Sequence, residues 1–303
     1  MAGTITTGNH PKALWPGIKA WWGRKYAEHQ TEYTDLFDDD RSGRSYEEDV
    51  QVTGFGLAPV KAEGSPTSYD SESQGYVTRY THVAYSLGYI CTREELADSL
   101  YEVVSRRRSQ ALAFSMRQTK ENVGANVYNR AFTAGYTFGD GQILCVSTHP
   151  SLSGNQSNVL STSADLSEAS LEDMIIQIMQ ATNTRGLKIS LMPQSLHVHP
   201  NDWFEANRIL KSVLQNDTAN NAVNALKATN AIPRGIKVNH YFTDTDAWFV
   251  RTNAPRGMIH YQREPIEFTR DNDFDTSNAK AKNYERYSFG NTDWRAVFGS
   301  AGA

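Results

Sequence analysis

His197 and His199 stand two residues apart with Asp202 close behind, a spacing that could offer a metal ion two imidazoles and a carboxylate. In an extended strand such a pair shares one face, so it could seed a metal-dependent hydrolase, with His149 or His240 supplying further ligands. No His-Glu-x-x-His, Walker loop or nucleophile elbow accompanies the pair, and the histidines are read as structural. Gly139-Asp140-Gly141 poses a similar choice. A glycine loop cradles phosphate when a helix start comes directly after it, and none is predicted here, so a turn is expected. Arg106, Arg107 and Arg108 form a basic run, but three consecutive helical residues spread over about 200° and cannot make one patch. They are expected to be solvated or salt-bridged, the functional alternative being contact with a neighbour's acidic loop or with DNA. Cys91 and Cys145 are too few for a disulfide framework or a cysteine cage and read as small buried residues. No catalytic residue, cofactor or metal site is expected.

The elements carrying these residues are dominated by one long helix, expected from about Thr92 to Ala131. Thr92 and Glu95 have capping-box spacing, and no proline interrupts the stretch from there to Ala131. Leu96, Leu100, Val103, Val104, Ala111, Phe114, Val123 and Val127 form the expected apolar stripe, with Arg106, Arg108, Lys120 and Glu121 mostly off it. A helix of about 40 residues would reach roughly 60 Å and needs a sheet or neighbouring subunits along its length. Gly124 is expected to mark a bend or a close contact.

Ahead of the helix, residues 46–90 read as strands. Val50, Val52 and Phe55 alternate, as do Tyr76, Thr78, Tyr80, His82 and Ala84, on either side of a polar tip from Lys61 to Gly75. A long hairpin is marginally stable alone and should lie on another chain or on its own domain. The first 45 or so residues read as an arm carrying Trp15, Trp21, Trp22 and Tyr26, then Asp38, Asp39 and Asp40. After the long helix come a short strand through Ile143 and Val146, a helix from about Ser167 to Thr182, and a strand at 196–199. A third helix is expected from about Asn201 to Val213, with Pro200 in its first turn. A flexible loop with a short helix is expected over 215–233, and strands beyond it, for a mixed α+β chain.

Composition narrows the classes. At 303 residues the chain can bury a substantial core. Its net charge of −4 argues against a dedicated nucleic-acid binder. The mean hydropathy of −0.57 and the absence of a long apolar run exclude a membrane-spanning helix, and no signal-peptide pattern opens the sequence, so a soluble protein is expected. Fifteen Tyr, twelve Phe and six Trp suit extensive interfaces as well as a core.

The order of these elements, with particular residues in them, resembles the major capsid proteins of tailed phages. The residues are Glu63-Gly64 and Tyr69-Asp70 in the tip, Gly88 to Asp98 opening the helix, Gly139-Asp140-Gly141 with Thr148-His149-Pro150, and Asp246-Ala247-Trp248. Gln262-Arg263-Glu264-Pro265, Tyr284 to Gly290 and Asp293-Trp294-Arg295 are similar to the C-terminal pattern of the Mu-like head subunits. The resemblance implies the Hong Kong 97-like fold, with residues 1–46 an N-terminal arm, 47–88 an extended loop and 89–164 a peripheral domain with its spine helix. Residues 165–254 would form the axial domain, and 255–303 the return strands of the peripheral domain. It further implies pentamers and hexamers assembling into an icosahedral shell that encloses double-stranded DNA without reading its sequence. The shell would assemble in the host cytoplasm without a membrane, with a portal, a separate scaffolding protein and, optionally, decoration proteins. The expected assembly contacts are Trp15, Trp21, Trp22, Lys61, Glu63, Tyr69, Asp70, Arg106, Arg107 and Arg108. A bacterial nanocompartment shell is the alternative on the same fold.

Overall fold

The computed structural model describes residues 22, 26, 28, 30–98, 101–215, 222–273 and 275–303, with side chains except at 96–106. A short helix, α1 (Tyr33–Leu36), leads into strand β1 (Asp38–Arg41). Strands β2 (Tyr46–Val52) and β3 (Gln74–Thr81) pair antiparallel from Tyr46↔Thr81 to Val52↔Gln74, which makes the expected hairpin. After His82 the chain continues as β4 (Val83–Cys91), a strand of the main sheet.

Helix comes next in two described spans, α2 (Arg93–Asp98) and α3 (Tyr101–Asn129). Thr92 Oγ1 accepts the Glu95 N–H at 3.3 Å, as the cap predicts. The buried face of α3 is not the expected stripe. It runs through Ser109, Leu112 and Ala113, Met116 and Arg117, Lys120 and Glu121, Gly124 and Ala125, to Tyr128, while Ala111 and Phe114 face outward. The three-to-four spacing is helical, but charged residues occupy the inner face because partners from the sheet and from α1 meet them there. Gly124 is a close contact, where a Cβ would come within 3.2 Å of the Tyr33 Cβ and 3.3 Å of the Phe289 ring.

The expected strand through Ile143 and Val146 is absent. That segment is held by other bonds, with Cys145 N–H on the Ala131 carbonyl and Val146 N–H on Asn158 Oδ1 at 2.9 Å. Fully buried Asn158 also donates to the Leu144 and Val297 carbonyls, replacing a sheet ladder. Helix α4 (Glu168–Gln180) starts at Ser167, which forms a reciprocal capping box with Ser170. Strand β5 (Pro193–Val198) is followed by a 3₁₀ turn at Pro200–Asp202 and helix α5 (Trp203–Lys211). Helix α6 (Ala225–Ala228) and strands β6 (Ile236–Val238) and β7 (Trp248–Thr252) come after it. The chain ends in the strands β8 (Met258–Asn272), β9 (Ala279–Asn291) and β10 (Val297–Ser300).

The main sheet has the order β1-β8-β9-β4, with β1 parallel to β8, and the second sheet β10-β7-β5-β6. Helix α3 packs on β4 and β9. Under the second sheet lies an apolar core of Leu171, Met174, Ile178, Leu196, Trp248, Val250 and Phe298, contributed mainly by α4 and the sheet. Between the sheets, Leu36, Phe37, Tyr128, Leu144, Phe249 and Val297 form a second core. No described helix is long and apolar enough to cross a membrane.

Candidate functional site: an interaction surface

The histidine pair does two different local jobs. His197 is buried in β5, with Nε2 2.8 Å from Ser195 Oγ. Burial, with smaller contributions from Arg251 and Lys237, pushes its pKa down to about 3 and keeps it neutral. His199 lies one residue past the strand, where its Nδ1 accepts the Asn201 N–H at 3.2 Å and caps the turn that Pro200 opens. The two further candidate ligands, His149 and His240, are engaged elsewhere. His149 bonds Asp140 at 2.6 Å and Asn158 at 3.1 Å and stacks on Trp294, and His240 bonds Glu32 at 2.6 Å. Among the described residues no three or more His, Cys, Asp or Glu side chains converge as a metal site would need.

Gly139-Asp140-Gly141 is a turn. Gly141 has φ +77°, Asp140 Oδ1 accepts the Gln142 N–H, and a Cβ on Gly139 would fall 2.1 Å from Thr78 Oγ1. Glycine here lets the turn press against β3 and hold one hairpin strand to the body. Cys91 and Cys145 are both buried, and burial raises the Cys145 thiol pKa, which keeps it protonated.

The hairpin tip is an exposed surface. Leu57, Val60 and Tyr69 are 83%, 100% and 92% exposed, so the tip has no packing of its own. Lys61 and Glu63 are also exposed. Asp70 ties the tip internally, accepting the Gly56 and Ser71 N–H groups at 2.8 Å each, and it pairs with Arg185 of the body at 3.4 Å. The two backbone bonds are the larger cause of its lowered pKa.

The arginines separate as helix geometry requires. Arg108 pairs with Glu95 and donates to Cys91 Sγ at 2.6 Å, Arg107 is exposed, and the Arg106 side chain lies outside the described residues, as do Trp15 and Trp21. Trp22 is buried within its own chain, stacked on Phe268 at 5.6 Å and on Tyr26 at 5.3 Å. The structure thus groups Lys61, Glu63, Tyr69 and Asp70 at one tip and leaves Trp22 and the arginines elsewhere.

Sequence reasoning missed the polar layer under α3. Lys120 Nζ bonds Glu285 at 2.8 Å and Gln262 at 2.5 Å, with both charged side chains almost wholly buried. Glu121 accepts the Tyr33 N–H at 2.8 Å and the Glu32 N–H at 3.2 Å, which anchors the segment before β1. Each acid from Glu32 through β1 meets a basic or imidazole side chain: Glu32 with His240, Asp35 with Lys237, Asp38 with Arg251, Asp39 with His260 and Asp40 with Arg256. A signal existed in Ala113, Gly124 and Ala125, small residues at helical spacing that mark the face where a sheet comes close.

Residues 75–299 match the model of a family described as phage capsid protein. Solved structures share the fold at low identity. A Mycobacterium phage Patience chain is 12% identical with a TM-score of 0.54, covering 98% of this chain and 89% of that one. The capsid of Myoviridae phage XM1 is 11% identical with a TM-score of 0.50 over the whole of both chains. A virus-like particle from Pyrococcus furiosus is 9% identical with a TM-score of 0.52, covering 95% and 99%. No curated protein matches the sequence. The shared architecture is Hong Kong 97-like, as the resemblance to tailed-phage capsid proteins implied.

Proposed function

We propose, from the premise that this chain belongs to the phage capsid protein family, that it is the major capsid protein of a tailed phage and builds an icosahedral head around double-stranded DNA. The family match over residues 75–299 carries this reading, because it spans the second hairpin strand, the long helix, the second sheet and all of the main sheet but β1. The physics agrees: a subunit that touches many neighbours gains stability from contacts that are individually modest, and extended segments supply the contact area. A mildly acidic chain also suits a container, since a strongly basic lining would hold the phosphates it must let pass.

In this reading residues 1–46 are the arm and 47–88 the extended loop, 89–164 with 255–303 form the peripheral domain, and 165–254 the axial domain. The exposed tip around Lys61, Glu63, Tyr69 and Asp70 is the leading candidate contact between subunits. Membership of the Mu-like group is supported by the runs at 262–265, 284–290 and 293–295. The role is structural, not enzymatic, in a head assembled in the host cytoplasm with a portal, a separate scaffolding protein and, optionally, decoration proteins as partners.

Electron microscopy of the purified protein tests the class, with shells or capsomer rings expected. A uniformly monomeric protein under assembly conditions would overturn it. Deleting residues 61–75 should leave a folded protomer that cannot close a shell, and intact shells from that variant would remove the tip from the interface. A nanocompartment shell on the same fold is the second reading, since a virus-like particle from Pyrococcus furiosus shares that fold, and the contents of native particles decide between them. Packaged DNA supports the phage head, and an enclosed protein cargo supports the compartment.

A further inference from the structure

We propose that His82 is a pH-sensitive pin at the base of the hairpin, locking it to the main sheet when neutral and loosening it when protonated. His82 is the single residue between β3 and β4, where one strand leaves the two-stranded hairpin and enters the four-stranded sheet. It is 4% exposed, and both ring nitrogens are engaged, Nδ1 with Ser288 Oγ of β9 and Nε2 with Ser42 Oγ ahead of β2, each at 3.0 Å. One ring therefore joins the chain entering the hairpin, the chain leaving it and the sheet beneath.

The hydrogen bonds have a direction. The Ser42 hydroxyl has one proton, and its shortest acceptor is Glu47 Oε1 at 2.7 Å. Ser42 Oγ must then accept from His82, which puts the ring proton on Nε2 and leaves Nδ1 to accept from the Ser288 hydroxyl. A neutral ring satisfies this relay completely. A second proton on Nδ1 would face an oxygen that is donating, and Ser288 would have to turn its own proton elsewhere in a buried site.

The surrounding charges also disfavour the imidazolium. Arg286 of β9 donates to the His82 carbonyl at 3.4 Å, and Arg263 of β8 donates to the Ser42 carbonyl at 3.4 Å. Glu47 of β2 is the opposing negative charge, while Glu264 of β8 is shared with Arg286 at 4.0 Å and Arg44 sits near Glu47 at 3.9 Å. The Tyr261 ring meets the imidazole edge-on and brings no charge. Burial first and Arg286 second lower the His82 pKa, so the folded base binds its proton less readily than a free histidine would. The contribution of the pin is complete above the ordinary histidine pKa of about 6.5 and is lost progressively as pH falls below it.

Hydrogen exchange on the full chain, corrected for the intrinsic pH dependence of amide exchange, reads the hinge directly. From about pH 7.5 to about pH 5, protection at residues 42–50 and 77–83 should fall several-fold, while helix α4 at 168–180, which carries no histidine, keeps more of its protection. His82→Gln, which donates and accepts without titrating, should make the hairpin base independent of pH. Ser288→Ala, which removes the donor to Nδ1, should weaken the base at neutral pH and reduce the pH response. Equal acid loosening in wild type and His82→Gln would overturn the proposal, as would a wild-type hairpin base unchanged by acid. The wild-type measurement decides the second point even where a variant fails to fold. The test needs no shell, so its failure would leave the capsid reading standing.

Discussion

The two four-stranded sheets are buried in opposite ways. Beneath the second sheet the core is apolar, with Leu171, Met174, Ile178, Leu196, Trp248 and Phe298 filling the space under α4. Beneath α3, the main sheet meets its helix through Lys120, Glu121, Arg117, Glu285 and His260, set among Tyr33, Tyr287 and Phe289. The apolar core draws on the non-directional removal of hydrocarbon from water and tolerates shape-conserving repacking. The polar layer depends on particular atoms meeting, and a missing partner leaves a charge stranded in a medium that cannot solvate it. A core of the first kind resists small displacements smoothly, and a layer of the second kind has one good register.

The largest expected effect separates the two by simple truncation. Trp248→Ala, at a fully buried side chain that also donates to the Ala164 carbonyl at 3.1 Å, should cost about 3 to 5 kcal/mol in denaturant unfolding. Glu285→Leu should come close, at about 3 kcal/mol, because Lys120 is left buried without its counter-charge. Adding Lys120→Met to that variant should recover most of the loss, whereas no second truncation rescues Trp248→Ala. A double variant as unstable as the single one would show that the pair does not organise the layer.

A smaller effect probes how tightly α3 is seated. Gly124→Ala gains about 1 kcal/mol of helix propensity, yet the added methyl meets Tyr33 at 3.2 Å and Phe289 at 3.3 Å. A net loss of roughly 1 kcal/mol is expected in thermal unfolding, and a gain would mean the layer can give way. The smallest effect is the onset of acid weakening. His197, the buried ring of β5, binds its proton less readily when folded, so its contribution is complete above pH 6.5 and is lost as pH falls toward about 3. Between pH 7 and pH 6 the loss from this residue should stay under about 1 kcal/mol and grow below that, and His197→Gln should flatten the curve. A stability unchanged from pH 7 to pH 4 would show that the folded sheet lets His197 take up its proton as readily as the unfolded chain does.

Much of the candidate surface was legible because it depends on what is missing. The tip from Lys61 to Gly75 has turn formers and no core residues, and such a stretch cannot bury itself wherever the chain folds. The cap at Thr92, the capping box at Ser167 and the turn at Pro200 were legible because each is closed by atoms a few residues apart. The inner face of α3 was misread because hydrophobicity was used as the sign of burial, and Lys120 and Glu121 are inside with their partners 142 to 165 and 88 to 89 residues away. The segment at Ile143 to Val146 was misread for a related reason, since Asn158 satisfies its backbone in place of a strand.

The sequence by itself determined the mixed α+β class, the hairpin followed by a long helix, the unpacked hairpin tip and the local caps, since these arise from periodicity, turn chemistry and side chains reaching neighbouring backbone. Only the tertiary structure decided that Asp38–Arg41 adds a parallel strand to β8, that Trp22 is covered by Phe268, that charges line the inner face of α3, and that His82 joins three segments. Each of these depends on groups far apart along the chain. A buried polar atom is tolerable only when its partner arrives, and neither composition nor spacing records that arrival.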